Sequence, residues 1–475
     1  MKKPAHKPNL RHARTTFYIF PALIPLAELL PWVLSFIGAV AGGSQMARDY
    51  MAVHHKFRKA IWAVTAISFI AAAGIYGWEQ LRLPSKEDGS ELVAMGSYSK
   101  VEDFPLSQQH HSRTPTVYAP FRKIWSVTTE EQNLGNMVVE NGRLMIGTYD
   151  GSFEIRSVFG GAKITTLHKS QPIFTAPAVS DKMVYIGEGL HTADMSALTA
   201  FSYLDGKVLW ERRFRSHLES TPALDEQNNR LFIGAGAEGL WSLDTKTGKK
   251  NWRAPLGHID VSPLLRDNRL FAAAKLNPDD AVSGSALFEI DVENGGILWK
   301  TDLLGNPMGD VLAGPDDTIL VSTAIGQVGV NKDTDKGWLY GLNAEGKLLW
   351  QRELPAMPLP DGQVLADRSL AFFTLKDGSL IAVKTTSGEI AWAQKLGRGF
   401  DADCALIEDG PEPLVVAISL DGAVHVRRAK TGETVGHMDV GKGSYTAPFY
   451  KDGVIYVANS FAIHAFAGPK GTVIP

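Results

Sequence analysis

Five acidic residues stand at one repeated position of this chain: Glu219, Asp260, Asp310, Asp361 and Asp401. Each lies three residues before Pro222, Pro263 or the equivalent Ala313, Val364 and Cys404. At the same place elsewhere stand Phe174, before Pro177, and Tyr445, before Pro448. Carboxylates brought side by side repel one another and focus negative potential, so an arc of them would attract a cation or a basic peptide. Asp403 would add to such an arc. The competing reading is that each acid caps its own turn by accepting bonds from backbone N–H groups, as aspartate commonly does.

Other chemistry-bearing patterns carry less. Gly234-Ala235-Gly236-Ala237-Glu238-Gly239 matches a dinucleotide-binding glycine pattern. That pattern needs a helix after it, whereas Leu240-Trp241-Ser242-Leu243 reads as a strand. Residues 436–442 resemble a phosphate-binding loop, but Gly443 follows Lys442 where Ser or Thr belongs. His110-His111 is a lone pair, short of the four ligands that structural zinc takes. Arg212, Arg213 and Arg215 read as a solvated strand face. No nucleophile motif or zinc-protease helix occurs, so no catalytic, cofactor-binding or metal-binding residue is assigned and the chain is expected not to be an enzyme.

The elements that must carry the arc are repeats. Lys123 to Gly468 contains units of roughly 40–50 residues, the range of propeller and solenoid arrays. Each unit runs strand, Asp-Gly or small-residue turn, strand, then a glycine turn with a tryptophan four residues on. The copies are LDGKVLW to Trp210, KTGKKNW to Trp252, ENGGILW to Trp299, AEGKLLW to Trp350 and TSGEIAW to Trp392. FGGAKI, placing Ile164 at the tryptophan position, and KTGETVG, placing Gly436 there, are degenerate copies. A small-small-Pro signature follows several units, as in Ser220-Thr221-Pro222 and Val261-Ser262-Pro263. The strand at Trp125 lacks a preceding hairpin, and the final hairpin near Ile455 lacks a tryptophan strand. The two fragments complete one another, so the N-terminal strand should close the last blade and leave no open end. The expected fold is all-β, an eight-bladed β-propeller of four-stranded antiparallel blades preceded by an α-helical membrane anchor. Trp125, Trp210, Trp252, Trp299, Trp350 and Trp392 are expected to wedge between blades.

The glycine–tryptophan spacing followed by small-small-Pro resembles the PQQ-type, quinoprotein-like propeller repeat. The eight-blade count and the absence of enzyme motifs look most like the BamB-type outer-membrane assembly factors. The resemblance covers roughly residues 120–468 and implies a fold, since such folds host enzymes, scaffolds and binding modules alike. Active quinoprotein dehydrogenases in that group carry a vicinal disulfide and acidic calcium ligands. Cys404 is the only cysteine, so that disulfide cannot form and no cofactor is expected. BamB-type factors are lipoproteins, and this chain has no cysteine near its N-terminus for such an anchor.

Of 475 residues, 48 are Lys or Arg and 51 are Asp or Glu, a net charge of −3 that implies no nucleic-acid partner. Residues 60–78 are uncharged and apolar, enough for one bilayer span. Lys56, Arg58 and Lys59 precede them and Glu79, Glu87 and Asp88 follow, which puts the propeller outside the cytoplasm by the positive-inside rule. Residues 17–43 are apolar too, but have basic flanks on both sides, hold Pro21, Pro25 and Pro31, and carry Glu28 in their midst. Such a segment reads as a re-entrant helix pair docking on another membrane protein. Two ordinary spans, with a cytoplasmic propeller, is the alternative. The expected organisation is therefore a basic N-terminus (1–16), the proline-rich membrane segment (17–43), a basic loop (44–59), a transmembrane helix (60–78), a linker (79–120), the propeller (121–468) and a tail (469–475). The expected role is a non-enzymatic scaffold or subunit of an envelope complex, anchored in a bacterial inner membrane with its propeller in the periplasm. It would dock one membrane protein through residues 17–78 and recruit a second through propeller loops. A ligand- or cation-sensing propeller is the alternative, and a PQQ-dependent dehydrogenase the third.

Overall fold

In the strand Arg269–Lys275 the run LFAAA is apolar at every position rather than at alternate ones. Leu270, Ala272 and Ala274 face one buried cluster, and Phe271 and Ala273 face another. A strand buried on both faces belongs to a sheet packed between two neighbouring sheets, which is the geometry of a propeller blade. The computed structural model describes residues 116–117 and 121–467, apart from 181, 191–192, 278–283, 326–334 and 442. It shows eight antiparallel sheets among these residues, arranged as an eight-bladed β-propeller.

The blades follow chain order, each from inner to outer strand. Blade 1 runs from Val138–Glu140 to Lys163–His168, and blade 2 from Ala178–Val179 to Val208–Phe214. Blade 3 runs from Ala223–Asp225 to Lys250–Ala254, and blade 4 from Leu264–Arg266 to Ile297–Leu303. Blade 5 has Leu312–Ala313 inside and Leu348–Leu354 outside, with Asn306–Pro307 as an extra short strand on Ile319–Ile325. Blade 6 runs from Gln363–Val364 to Ile390–Lys395, and blade 7 from Cys404–Ile407 to Thr434–Asp439. Blade 8 begins with Phe449–Lys451, and its outer strand is Arg122–Thr128 from the other end of the chain. That strand pairs antiparallel with Ala462–Ala467, Thr128 opposite Ala462, so the ring is closed by both ends of the chain as expected. Thr116–Val117 pairs beyond the outer strand of blade 7, Thr116 opposite Asp439, and makes a fifth strand there.

Every outer strand has a bulge at the residue before the tryptophan position. The unpaired residues are Ile124, Ile164, Leu209, Asn251, Leu298, Leu349, Ala391 and Val435. A bulge raises local twist and spoils the edge as a template for further pairing. It also fixes which way the next side chain points, and that side chain is the tryptophan. Each indole N–H donates to a carbonyl of the next blade: Trp210 to Thr245 at 2.8 Å, Trp252 to Val292 at 2.9 Å, Trp392 to Ala429 at 2.8 Å. Trp125, Trp299 and Trp350 do the same to Val158, Ala344 and Thr385.

The repeat glycine has its reason in the same contact. Gly295 of blade 4 has φ +77°, and a Cβ there would come within 2.6 Å of the Trp252 ring of blade 3. Only glycine tolerates both the left-handed backbone and the ring against it. Gly161, Gly248, Gly346, Gly388 and Gly432 seat the rings of Trp125, Trp210, Trp299, Trp350 and Trp392 in the same way. This corrects the alignment of the first degenerate copy. In blade 1 the seating glycine is Gly161 rather than Gly160, and Ile164 is the bulged residue. Thr165 occupies the tryptophan place and faces Gly206 of blade 2.

Among the described residues no helix is long and apolar enough to cross a membrane. Pro21, Pro25, Glu28, Pro31 and both apolar segments lie outside the described residues, as do His110 and His111.

Candidate functional site

The acidic positions stand just before the inner strands, and the residues beside them tie the blades together. Thr221, just before Pro222, donates its N–H to Ser262 Oγ in blade 4 at 2.9 Å, and its hydroxyl lies 3.3 Å from the Ala176 carbonyl of blade 2. Ser262, just before Pro263, donates its N–H to Asp310 Oδ1 at 2.7 Å. Ala447, just before Pro448, donates its N–H to Asn136 Oδ1 at 2.8 Å. Asn136 Nδ2 in turn donates to Asp361 Oδ2 at 3.0 Å. Blades 1 and 6 are three steps apart around the ring, so this bond shows the channel to be narrow at that level. Gln363 Nε2 donates to Asp403 Oδ2 at 3.1 Å, linking blades 6 and 7.

The five acids therefore have different surroundings. Asp310, Asp361 and Asp403 gather in one place. Burial pushes Asp361 well above the ordinary carboxylate range, and the charges of Asp310 and Asp403 push it the same way. Burial raises Asp403 well above that range too, against a bond from the Cys404 N–H. Burial also raises Asp310, opposed by the bonds from Ser262 and Asp361. Three carboxyls in so small a space cannot all ionise, and a shared proton between Asp310 and Asp361 relieves the repulsion. A cleft of about 430 Å³ opens beside them, lined by Asp310, Asp361, Gln363 and Arg368 among others. Asp401 is half-buried and raised by burial, with the Lys376 charge opposing. Glu219 is half-buried at the entry to blade 3.

Asp260 has the most specific environment. Its Oδ1 lies 2.8 Å from His217 Nε2 and 2.8 Å from His258 Nε2. The two imidazole Nε2 atoms are 3.2 Å apart. Burial would raise the Asp260 carboxyl, but the bonds from His217 and His258 outweigh it and hold the group below its usual range. Neither histidine is among the acidic positions that the repeat singles out. The signal for them was present, since His217 and His258 each stand five residues before the repeat proline, in consecutive blades, two before Glu219 and Asp260.

The dinucleotide-like glycine pattern is a turn, and residues 436–439 of the phosphate-loop-like pattern lie in the outer strand of blade 7. Gly234 to Leu240 is the hairpin of blade 3, with Ala235 N–H bonded to Gly239 carbonyl at 2.9 Å, and a strand follows it. Arg212 lies over the Trp241 ring at 4.8 Å and donates to the Gly248 carbonyl, while Arg213 pairs with Glu211 at 3.0 Å. Ser419 Oγ donates to Asp421 Oδ1 at 2.5 Å and sits 3.3 Å from His425 Nε2. The carboxylate there holds the serine and not the imidazole, which is not the order of a Ser-His-Asp relay.

The family described as outer membrane protein assembly factor BamB matches residues 194–359. A tetrathionate hydrolase from Acidithiobacillus ferrooxidans is 29% identical over 167 residues, 34% of this chain and 32% of that protein. The matched part is thus about a third of the length of that relative. BamB from Moraxella catarrhalis superposes with a TM-score of 0.55 at 13% identity, covering 73% of this chain and 99% of that one. The computationally designed Ika8 protein superposes with a TM-score of 0.57 at 14% identity, with coverage of 73% and 99%. These structural likenesses bear on the fold. The chain is similar to BamB in repeat and in propeller architecture.

Proposed function

We propose that this chain is a protein-binding propeller that works as a scaffold or subunit of a cell-envelope membrane complex, without catalysis of its own. One observation carries the reading. The outer strands of blades 2, 4 and 5 present apolar pairs to solvent: Val208 and Leu209, Ile297 and Leu298, Leu348 and Leu349. Leu298 is 59% exposed and Leu349 53%. These residues lie on and beside the bulges, outside the core, and blades 4 and 5 are neighbours. Apolar side chains repeated along one rim mark a surface for another protein. The partner that docks residues 17–78 and the periplasmic setting belong to this proposal, and likeness to BamB supports its class.

The test is purification of tagged full-length protein from native membranes in mild detergent, with a photo-crosslinking residue at Leu298 or Leu349. A single stoichiometric partner, crosslinked at the rim and lost when residues 17–43 are deleted, is the expected result. Recovery of the protein alone, without crosslinks, would overturn it.

A second reading, a propeller enzyme, rests on the likeness to tetrathionate hydrolase. Turnover of tetrathionate by the purified protein, abolished by a channel substitution, would favour it over the scaffold.

A further inference from the structure

We infer that His217, His258 and Asp260 form a binding site for a divalent first-row transition cation at the junction of blades 3 and 4. Three ligand atoms of the right chemistry converge there, all within 4.8 Å of one another. The triangle they form has edges of 2.8, 2.8 and 3.2 Å. Ligands about 2.1 Å from a metal stand about 3.0 Å apart on one face of an octahedron and about 3.4 Å apart in a tetrahedron. The observed triangle fits the octahedral face, and a cation about 1 Å above its plane would touch all three atoms. Two neutral imidazoles with one carboxylate is a donor set that suits first-row metals and not calcium or magnesium, which take oxygen.

The bland account is a carboxylate accepting two histidine bonds to hold the blades together. It explains each contact singly. It leaves the two Nε2 atoms 3.2 Å apart, so that with each ring protonated at Nδ1 instead, both nitrogens and the carboxylate oxygen can share one cation.

The site is also built rigidly. Gly236 and Ile259 exchange N–H···O bonds at 3.0 Å in both directions, locking the turn of blade 3 to the segment between His258 and Asp260. His258 and Lys275 exchange a second reciprocal pair at 2.9 and 2.8 Å. The His217 side chain is 5% exposed, that of His258 18% and that of Asp260 41%, so the cluster is held by fixed backbone and reaches solvent chiefly through Asp260. The two histidines come from equivalent repeat positions of adjacent blades, and Asp260 follows His258 by two residues.

The experiment uses the full-length protein in detergent, stripped with chelator and titrated with Co²⁺ and then Zn²⁺. The expected result is one Co²⁺ per chain with visible absorption bands, a dissociation constant below about 10 µM, displacement by Zn²⁺, and a rise in melting temperature with metal. His258→Ala should remove the bands, and Asp260→Asn should weaken binding at least about tenfold. Because His217 is buried, its substitution is read beside the melt in chelator. His258→Ala, at a partly exposed position, keeps the test valid if His217→Ala fails to fold. Absence of Co²⁺ bands in the parent protein, or bands unchanged in His258→Ala, would overturn the inference.

Discussion

Asp361 and Gly295 show how single residues of this propeller answer to different constraints. Burial, and then the charges of Asp310 and Asp403, push the Asp361 carboxyl well above the ordinary carboxylate range. A carboxyl raised on folding contributes stability below its unfolded pKa and loses it as pH rises through the folded value. This carboxyl should therefore lower the melting temperature as pH rises above the ordinary carboxylate range. Asp361→Asn keeps an oxygen for Asn136 and carries no charge. We expect it to match or exceed the parent at pH 8 and to flatten that slope, as read by melting curves across pH. His425 and His464 act in the opposite sense. Burial lowers both to about 4 from 6.5, so their contribution is lost as pH falls between those values. At Gly295 the constraint is steric. Gly295→Ala should destabilise the protein by about 2–4 kcal/mol, because strain at positive φ adds to overlap with the Trp252 ring. Denaturant unfolding would measure it, and a change below about 0.5 kcal/mol would contradict the seating role.

At the scale of the element, the outer strand is the unit that makes a blade stack. Bulge, tryptophan and the next blade's glycine act together: the bulge turns the indole sideways, the ring fills the gap between blades, and its N–H finds a carbonyl beyond. Trp252→Ala should cost about 3–5 kcal/mol through the cavity and the lost bond. Thr165, at the same place in blade 1, is already small, and Thr165→Ala should cost about 1 kcal/mol or less. Comparing the two by denaturant midpoint tests whether the ring, rather than the strand, supplies the adhesion. The off-by-one placement in blade 1 arose because Gly160 and Gly161 both satisfy the spacing. Only the contact with Trp125 tells which of them seats a ring.

For the whole molecule, closure is the decisive feature. Blade 8 borrows Arg122–Thr128 from the opposite end of the chain, so the ring's integrity depends on one long-range pairing. Deleting residues 121–128 would open blade 8 and expose the edge of Ala462–Ala467. We expect loss of cooperative unfolding and a tendency to aggregate, checked by size-exclusion chromatography and melting. A monomer with the parent's transition would show that the Velcro strand is dispensable.

The repeat, the blade count, the closing strand and the positions of the six tryptophans are all legible along the chain. Local spacing suffices for these, since a glycine turn and a tryptophan four residues later recur whatever the neighbours are. It also placed Glu219, Asp260, Asp310, Asp361 and Asp401 at one repeated position. What each of those acids touches was decided by the tertiary structure alone. Asp361 meets Asn136, 225 residues away, because the ring closes and the channel is narrow. Asp260 meets His217 because adjacent blades bring equivalent loops together across 43 residues. A repeat tells which positions are equivalent; only packing tells which equivalent positions touch.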